Sequence, residues 1–396
     1  MDGSPWGGSE ELWSATAREA IEAGCQVAFS TRKWPDTPDA VKDLVKRGAL
    51  WLPWTSRLSD GRAKRWLGRL SRRVPIAKRL FPAQPSSFKP LFDFRPDIVC
   101  VNQGGTFDVL YCEGLLELLY HAQLPYVALC RWNADDYFVS ESLRPEGREF
   151  FRRAFRVGFA AERNIRMAER QLTAKIPHGL VLQSPVNIPG FAAVPWPSQA
   201  LPSFACVSRL NAAHKGHDLL LESLSSPTWK NREWRLRFFG EGPDQRFLEE
   251  LIRYFGLGDR VSFAGHVRDI SGIWQQNHLL ILPSRAEGTP QSMIQAMVCG
   301  RPVVVTEVGG TGEWVTEPTT GFIAEAASMP SISRALERAW QAQAEWQSIG
   351  QAARRTALAK LDKAPQRTLF GLLKSCLEGR AGPRHALLTH GVGTDE

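Results

Sequence analysis

The sequence predicts an α/β protein of two doubly wound domains, each a parallel sheet covered by helices, facing a central cleft. Three observations carry this reading. From Phe204 onward, apolar β-prone runs alternate with amphipathic helical ones. Before about position 190 the alternation recurs less regularly. Between the two halves, Ile176 to Ser208 contains no Asp, Glu, Lys or Arg but six prolines, which suits an interdomain connection and not a membrane-spanning helix. Strands alternating with helices imply a parallel sheet buried on both faces.

Taken in order, "EELWSATAREAIEAG" reads as a helix stopped by Gly24, and "CQVAFST" as a strand. "DIVCVNQGG" reads as a strand with a tight turn, "FDVLYCEGLLELLYHAQ" as one helix, and "PYVALC" as a strand. Past the proline-rich window, "FACVSRL" is a strand and "HKGHDLLLESL" a helix. "WRLRFFGEG" is a strand closed by a glycine turn, and "DQRFLEELIRYFGL" a helix ended near Gly256. "RVSFAGHV", "HLLILPS" and "RPVVVTEVGG" are strands, separated by the helices "DISGIWQQN" and "TPQSMIQAMVCG". The turn "GGSEELW" should be fed by a buried strand. Only six residues precede Gly7, too few and too polar to be one, so the expectation is that the chain as given lacks its natural start.

The chain has 396 residues, 43% hydrophobic and 23% charged, with a net charge of +8. Residues 1–200 carry 27 Lys and Arg against 21 Asp and Glu, which favours anionic partners. Seven scattered cysteines without a C-x-x-C pair fit reduced thiols rather than a disulfide framework or a zinc site. Residues 1–20 lack the basic start and apolar run of a secretion signal, so a cytoplasmic location is expected.

The run Arg57–Arg79 holds nine Lys and Arg and one acid, with Trp66, Leu67 and Leu70 at helical spacing. A solvated insert and a surface for anionic lipid both fit it, the second placing the protein peripherally at the inner membrane face. Nucleic-acid binding is not expected, because no recognition module accompanies the charge.

Ligands of doubly wound sheets bind beyond the carboxyl ends of the strands. Arg209 ends the strand "FACVSR", Lys215 follows six residues later at the head of the next helix, and "EGTPQS" lies between a strand and a helix. In that last turn Pro290 suits the first helical position and Thr289 can cap it, leaving amides that attract an anion. With Arg209 and Lys215 facing the same point, a diphosphate would be held without a metal. Glu287 would face polar hydroxyls, and Gln295, two turns on, could reach others deeper in the cleft. Each residue has a plainer reading: a surface ion pair for Arg209, a solvated acid for Glu287, a surface amide for Gln295, and tight turns for Gly7–Gly8 and Gly309–Gly310. His214, His217 and His266 lack metal spacing and read as structural or loop residues.

Arg209 with Lys215, "SRAEGTPQSMIQAMVCGRPVVVTEVGG" and "WGGSEELW" resemble the family-4 glycosyltransferases of the GT-B fold, closely over Phe204–Phe322 and more loosely before it. The resemblance implies two Rossmann-like domains: an acceptor domain over residues 1–190, a nucleotide-sugar donor domain over 200–365, and a C-terminal helix and tail over 366–396. It implies transfer of a sugar to an acceptor hydroxyl with retention of configuration, in glycan, polysaccharide or glycolipid synthesis, with no cofactor and no metal. Arg209 and Lys215 would bind the donor diphosphate, and Glu287 would contact the transferred sugar as the first acid of an E-x7-E pattern. Gln295 stands where the second acid holds the ribose, which should weaken that contact by about 1–2 kcal/mol. The backbone of Gly288, Thr289, Pro290 and Gln291 would touch sugar and phosphate, and Gly265, His266 and Val267 would lie by the base.

Many relatives carry a histidine after the apolar strand of the first domain. Here "VALCRWNADDYF" has none, and Asn133 is the candidate polar contact. Asn102, Gln103, Gly104 and Gly105 are expected on the acceptor side, with Gly7 and Gly8 at the phosphate. A non-catalytic sugar-nucleotide-binding or scaffold protein of the same fold is the alternative, and a related epimerase or phosphorylase a more distant one.

Overall fold

The structure is a computed structural model that describes residues 6–31, 33–34, 36–53, 88–112 and 114–381. The basic run Arg57–Arg79, and with it the expected lipid-facing surface, lies outside the described residues.

Every strand pairing within the three sheets is parallel. In the N-terminal half, strands β1 (Ala28–Phe29) and β2 (Leu50–Trp51) pair with each other. A separate sheet has the order β3 (Val99–Gly105), β4 (Tyr126–Trp132), β5 (Arg156–Phe159), β6 (Gly179–Val181). Helix Gly8–Glu22 serves both: Trp13, Ala17 and Ile21 pack with Phe29 and Val41, whereas Leu12 packs with Val127 and Leu129 of β4.

In the C-terminal half, β7 (Ser203–Val207), β8 (Arg235–Phe239), β9 (Val261–Gly265), β10 (Leu279–Leu282), β11 (Val303–Thr306) and β12 (Gly321–Ala324) form one sheet. Its order is β12-β11-β10-β7-β8-β9. β10 and β11 are buried along their whole length, as unbroken Leu, Ile and Val runs require when helices cover both faces. The chain winds outward from β7 through β8 and β9, then returns to β10 on the other side. The topological switch point therefore lies between β7 and β10, where a doubly wound sheet opens a crevice at its carboxyl edge.

Two helices read as continuous from sequence are broken by glycines. Leu115–His121 starts after Gly114, which has φ 76°, and is preceded by a 3-10 turn over Asp108–Tyr111. "HKGHDLLLESL" divides at Gly216 (φ 65°) into a single turn, Ala212–Lys215, and the helix His217–Leu224. At Gly216 any side chain would also collide with the Pro283 carbonyl at the end of β10, so glycine is needed twice over. Lys215 thus ends a short turn and does not head the next helix.

The helix Pro365–Ala381 crosses back onto the N-terminal half. Leu369 is fully buried with Leu12, Val127 and Leu129, Thr16 Oγ1 donates to the Gln366 carbonyl at 3.3 Å, and Arg367 pairs with Glu19 at 3.2 Å. Within the proline-rich window, Val194 and Pro195 are held by Arg301. This fully buried guanidinium also donates to the Trp274, Asn277 and Cys299 carbonyls and lies over the Trp196 ring. Burial holds its pKa down at about 10. Among the described residues, no helix is long and apolar enough to cross a membrane.

Candidate active site

The switch point brings the main sequence-predicted residues together. Arg209 stands two residues past the end of β7, and Lys215 closes the turn that follows. From the end of β10, the loop Pro283–Pro290 carries Glu287 to the same crevice. Lys215 Nζ lies 2.6 Å from Glu287 Oε1, and Ser284 Oγ donates to that same oxygen at 2.8 Å. Glu287 is 7% exposed, so its charge is set between a cation and a hydroxyl rather than in bulk water. Ser284 carried no signal in the sequence, because nothing in its spacing distinguishes it from a loop serine.

The helix Gln291–Val298 begins beside this pair and ends before Gly300. Pro290 takes the capping position rather than the first helical one, and no side chain caps the helix. Thr289 does not cap it either, since its Oγ1 donates to the Ala160 carbonyl at 2.6 Å, in the other half of the molecule. Gly288 is wedged likewise. A Cβ there would overlap the Arg131 carbonyl and crowd Ala160. The Gly288 carbonyl accepts from the Gly310 amide at 2.6 Å, so Gly309–Gly310 backs this loop. The Glu287 carbonyl accepts from Asn164 Nδ2 at 3.3 Å and faces the Asn133 amide at 3.5 Å. The Glu287–Thr289 loop is thus a contact between the two halves as well as a wall of the crevice.

The N-terminal half contributes a second helix end. Gly7 caps Gly8–Glu22, and the added Cβ position at Gly8 lies 3.5 Å from Gln291 Cγ. Two helix N-termini, each carrying partial positive charge, therefore converge on one region. Gln295 is half-buried on the second of them, and Gly265, His266 and Val267 leave the end of β9 with Gly265 at φ 67°.

The profile of the family described as Glycosyl transferases group 1 matches residues 202–342, which span β7 to β12 and the whole crevice wall just described. Over residues 202–342 the chain is thus similar to the group 1 glycosyl transferases. The α-D-kanosaminyltransferase of Streptomyces kanamyceticus is 31% identical over 129 residues, 32% of this chain and 33% of that protein. The mannosylfructose-phosphate synthase of Agrobacterium fabrum is 36% identical over 109 residues, 25% and 24% of the two chains. The chain therefore spans a third or less of the length of these curated relatives. Solved structures extend the likeness to the whole fold. Anabaena HepE, in complex with UDP and glucose, superposes with a TM-score of 0.67 at 16% identity over 97% of this chain and 98% of that one. A sucrose-phosphate synthase of Thermosynechococcus elongatus gives 0.67 at 16% identity over 93% and 92%. The fold is GT-B.

Two expected acceptor-side contacts, Gln103 and Asn133, are corrected. Gln103 is 2% exposed, and its amide is consumed internally: Oε1 accepts from the Val109 amide at 2.9 Å, and Nε2 meets Cys130 Sγ at 3.4 Å. Asn133 is 3% exposed; Oδ1 accepts from the Ala134 amide and Nδ2 donates to Gln171 Oε1, both at 2.8 Å. Its side chain builds the turn after β4, and only its backbone reaches Glu287. Gly104 and Gly105 continue β3 instead of turning out of it. Asn102 Nδ2 donates to the Ser9 carbonyl at 3.3 Å, tying β3 to the head of the first helix.

The halves are also joined by a link that the sequence did not announce. Glu313 accepts from the Glu162 and Arg163 amides at 3.2 and 2.8 Å, so a carboxylate of the C-terminal half caps helix Glu162–Leu172 of the N-terminal half. Arg163 then donates to the Glu307 carbonyl at 2.9 Å and pairs with Asp135 at 3.0 Å.

Proposed function

We propose that this chain is a retaining glycosyltransferase that moves a sugar, of hexose type, from a nucleotide-sugar donor to an acceptor hydroxyl in glycan, polysaccharide or glycolipid synthesis. One observation carries the reading: Lys215, Arg209 and the head of helix Gln291–Val298 stand at a switch-point crevice beside a buried acid, Glu287. That set suits a ligand with a diphosphate at one end and hydroxyls at the other. The likeness to structures holding UDP supports a nucleotide donor.

In this reading the sugar C1–O bond breaks with its electron pair passing to the diphosphate. The acceptor oxygen bonds to C1 on the same face, and its proton passes to a phosphate oxygen. Lys215, Arg209 and the helix amides stabilise the charge that develops, without a metal. Glu287 accepts hydrogen bonds from sugar hydroxyls and orients the ring.

The test is nucleoside diphosphate release from a panel of nucleotide sugars incubated with candidate acceptors. Turnover lost on Lys215→Ala supports the assignment. Nucleotide binding with neither hydrolysis nor transfer, for every donor, establishes the non-catalytic alternative instead.

A further inference from the structure

Trp132 and His214 touch across the cleft. Trp132 is the last residue of β4 in the N-terminal half, and His214 lies on the single turn Ala212–Lys215 in the C-terminal half. Their ring centroids are 5.1 Å apart with planes inclined at 53°. Each is the chain neighbour of a group that meets Glu287: Lys215 reaches its carboxylate at 2.6 Å, and the Asn133 amide faces its carbonyl at 3.5 Å. His214 is exposed and Trp132 half-buried, whereas Glu287 is buried.

Both rings are carried on fixed backbone. Thr106 Oγ1 donates to the Trp132 carbonyl at 3.0 Å, and a Cβ on Gly105 would lie 3.4 Å from Trp132 Cζ2, so the indole rests against bare backbone. The His214 carbonyl accepts from the Arg285 and Ala286 amides at 2.8 and 3.3 Å. Neither ring belongs to the described cores of the two halves, so core packing does not account for the contact.

We propose that Trp132 and His214 form a gate that sets acceptor-over-water specificity by shielding the transferred sugar until an acceptor parts or lines the rings. This rests on the glycosyltransferase reading above. Transfer breaks the bond between sugar C1 and the phosphate oxygen, and the pair of electrons leaves with the nucleoside diphosphate. Water in the acceptor's place makes the new bond to C1, gives its proton to the phosphate, and yields free sugar. The two reactions share donor, leaving group and cations, and differ only in which hydroxyl reaches C1. A site that excludes water at that position suppresses the wasteful one.

The experiment uses the full chain with UDP-, GDP- and ADP-sugars and no acceptor, reading nucleoside diphosphate release. Trp132→Ala and His214→Ala are expected to raise release about tenfold, with Trp132→Phe close to wild type. The thermal shift given by the matching nucleoside diphosphate stays unchanged in all of them. His214 is exposed, so its variant keeps the test valid if Trp132→Ala fails to fold. Release at or below the wild-type rate in His214→Ala, with nucleotide binding intact, overturns the gate while leaving the glycosyltransferase reading standing. A wild-type protein that shows no shift with any nucleoside diphosphate removes that reading first, and the gate with it.

Discussion

Lys215 Nζ and Glu287 Oε1 are 2.6 Å apart although 72 residues separate them in the chain. The turn after β7 supplies one and the loop after β10 the other, so the pair marks the switch point of the sheet. A cation that faces a leaving diphosphate acts mainly on the transition state, and its loss is felt in kcat. Lys215→Ala should lower donor turnover by about 10²–10³-fold. Gln295→Ala, which removes a neutral hydrogen bond, should cost no more than about tenfold. Steady-state kinetics on both variants decide this; equal and small losses reject the assignment.

Gly288→Ala should disable the site with little change in secondary structure. The added methyl would overlap the Arg131 carbonyl, so the loop carrying Glu287 must move away from β4. A displacement of this size at a reacting centre costs about 100-fold in rate. Circular dichroism and donor turnover measured together check it. Wild-type turnover would show that the two halves do not need this close approach.

Removing the carboxylate of Glu313 should weaken the protein by about 1 kcal/mol, because two amides at the start of helix Glu162–Leu172 lose their cap. Glu313→Ala followed by thermal melting measures it. An unchanged melting temperature would mean that solvent serves those amides equally well.

Stability should fall on acidification through His217. Its ring is fully buried, meets Ser208 Oγ at 2.9 Å, and is held by burial at a pKa of about 4. The unfolded chain takes up a proton below about pH 6.5, whereas the folded one resists it, so stability is complete above that pH and declines beneath it. The loss accumulates to about 3 kcal/mol by pH 4. His278, also depressed by burial, adds in the same direction. Urea unfolding at pH 7 and pH 5 should show the decline, and His217→Gln should flatten it. A slope unaltered by that substitution would assign the acid sensitivity elsewhere.

What could be read from the sequence was what local spacing encodes. The strand before Arg209, the Glu287 turn and the helix from Gln291 to Val298 follow from periodicity and turn chemistry, and their adjacency follows from the doubly wound order. The misreadings share one cause. Thr289 looks like a helix cap until Ala160, 129 residues away, offers its carbonyl. Gln103 and Asn133 look like ligands at a strand end, and both are instead consumed by neighbouring backbone and side chains. Glu313 drew no reading from the sequence, because its amide partners lie 150 and 151 residues away. Polar side chains of this kind are assigned by tertiary contact, which no window of the sequence contains.

The most direct measurement is calorimetric titration of the full chain with UDP, GDP and ADP, repeated on Lys215→Ala. The expected result is that wild type binds at least one of them, and that the substitution weakens that affinity at least about tenfold, the worth of a charge-assisted contact to phosphate. If no nucleoside diphosphate binds, or if Lys215→Ala binds as tightly as wild type, the crevice between β7 and β10 is not a diphosphate site.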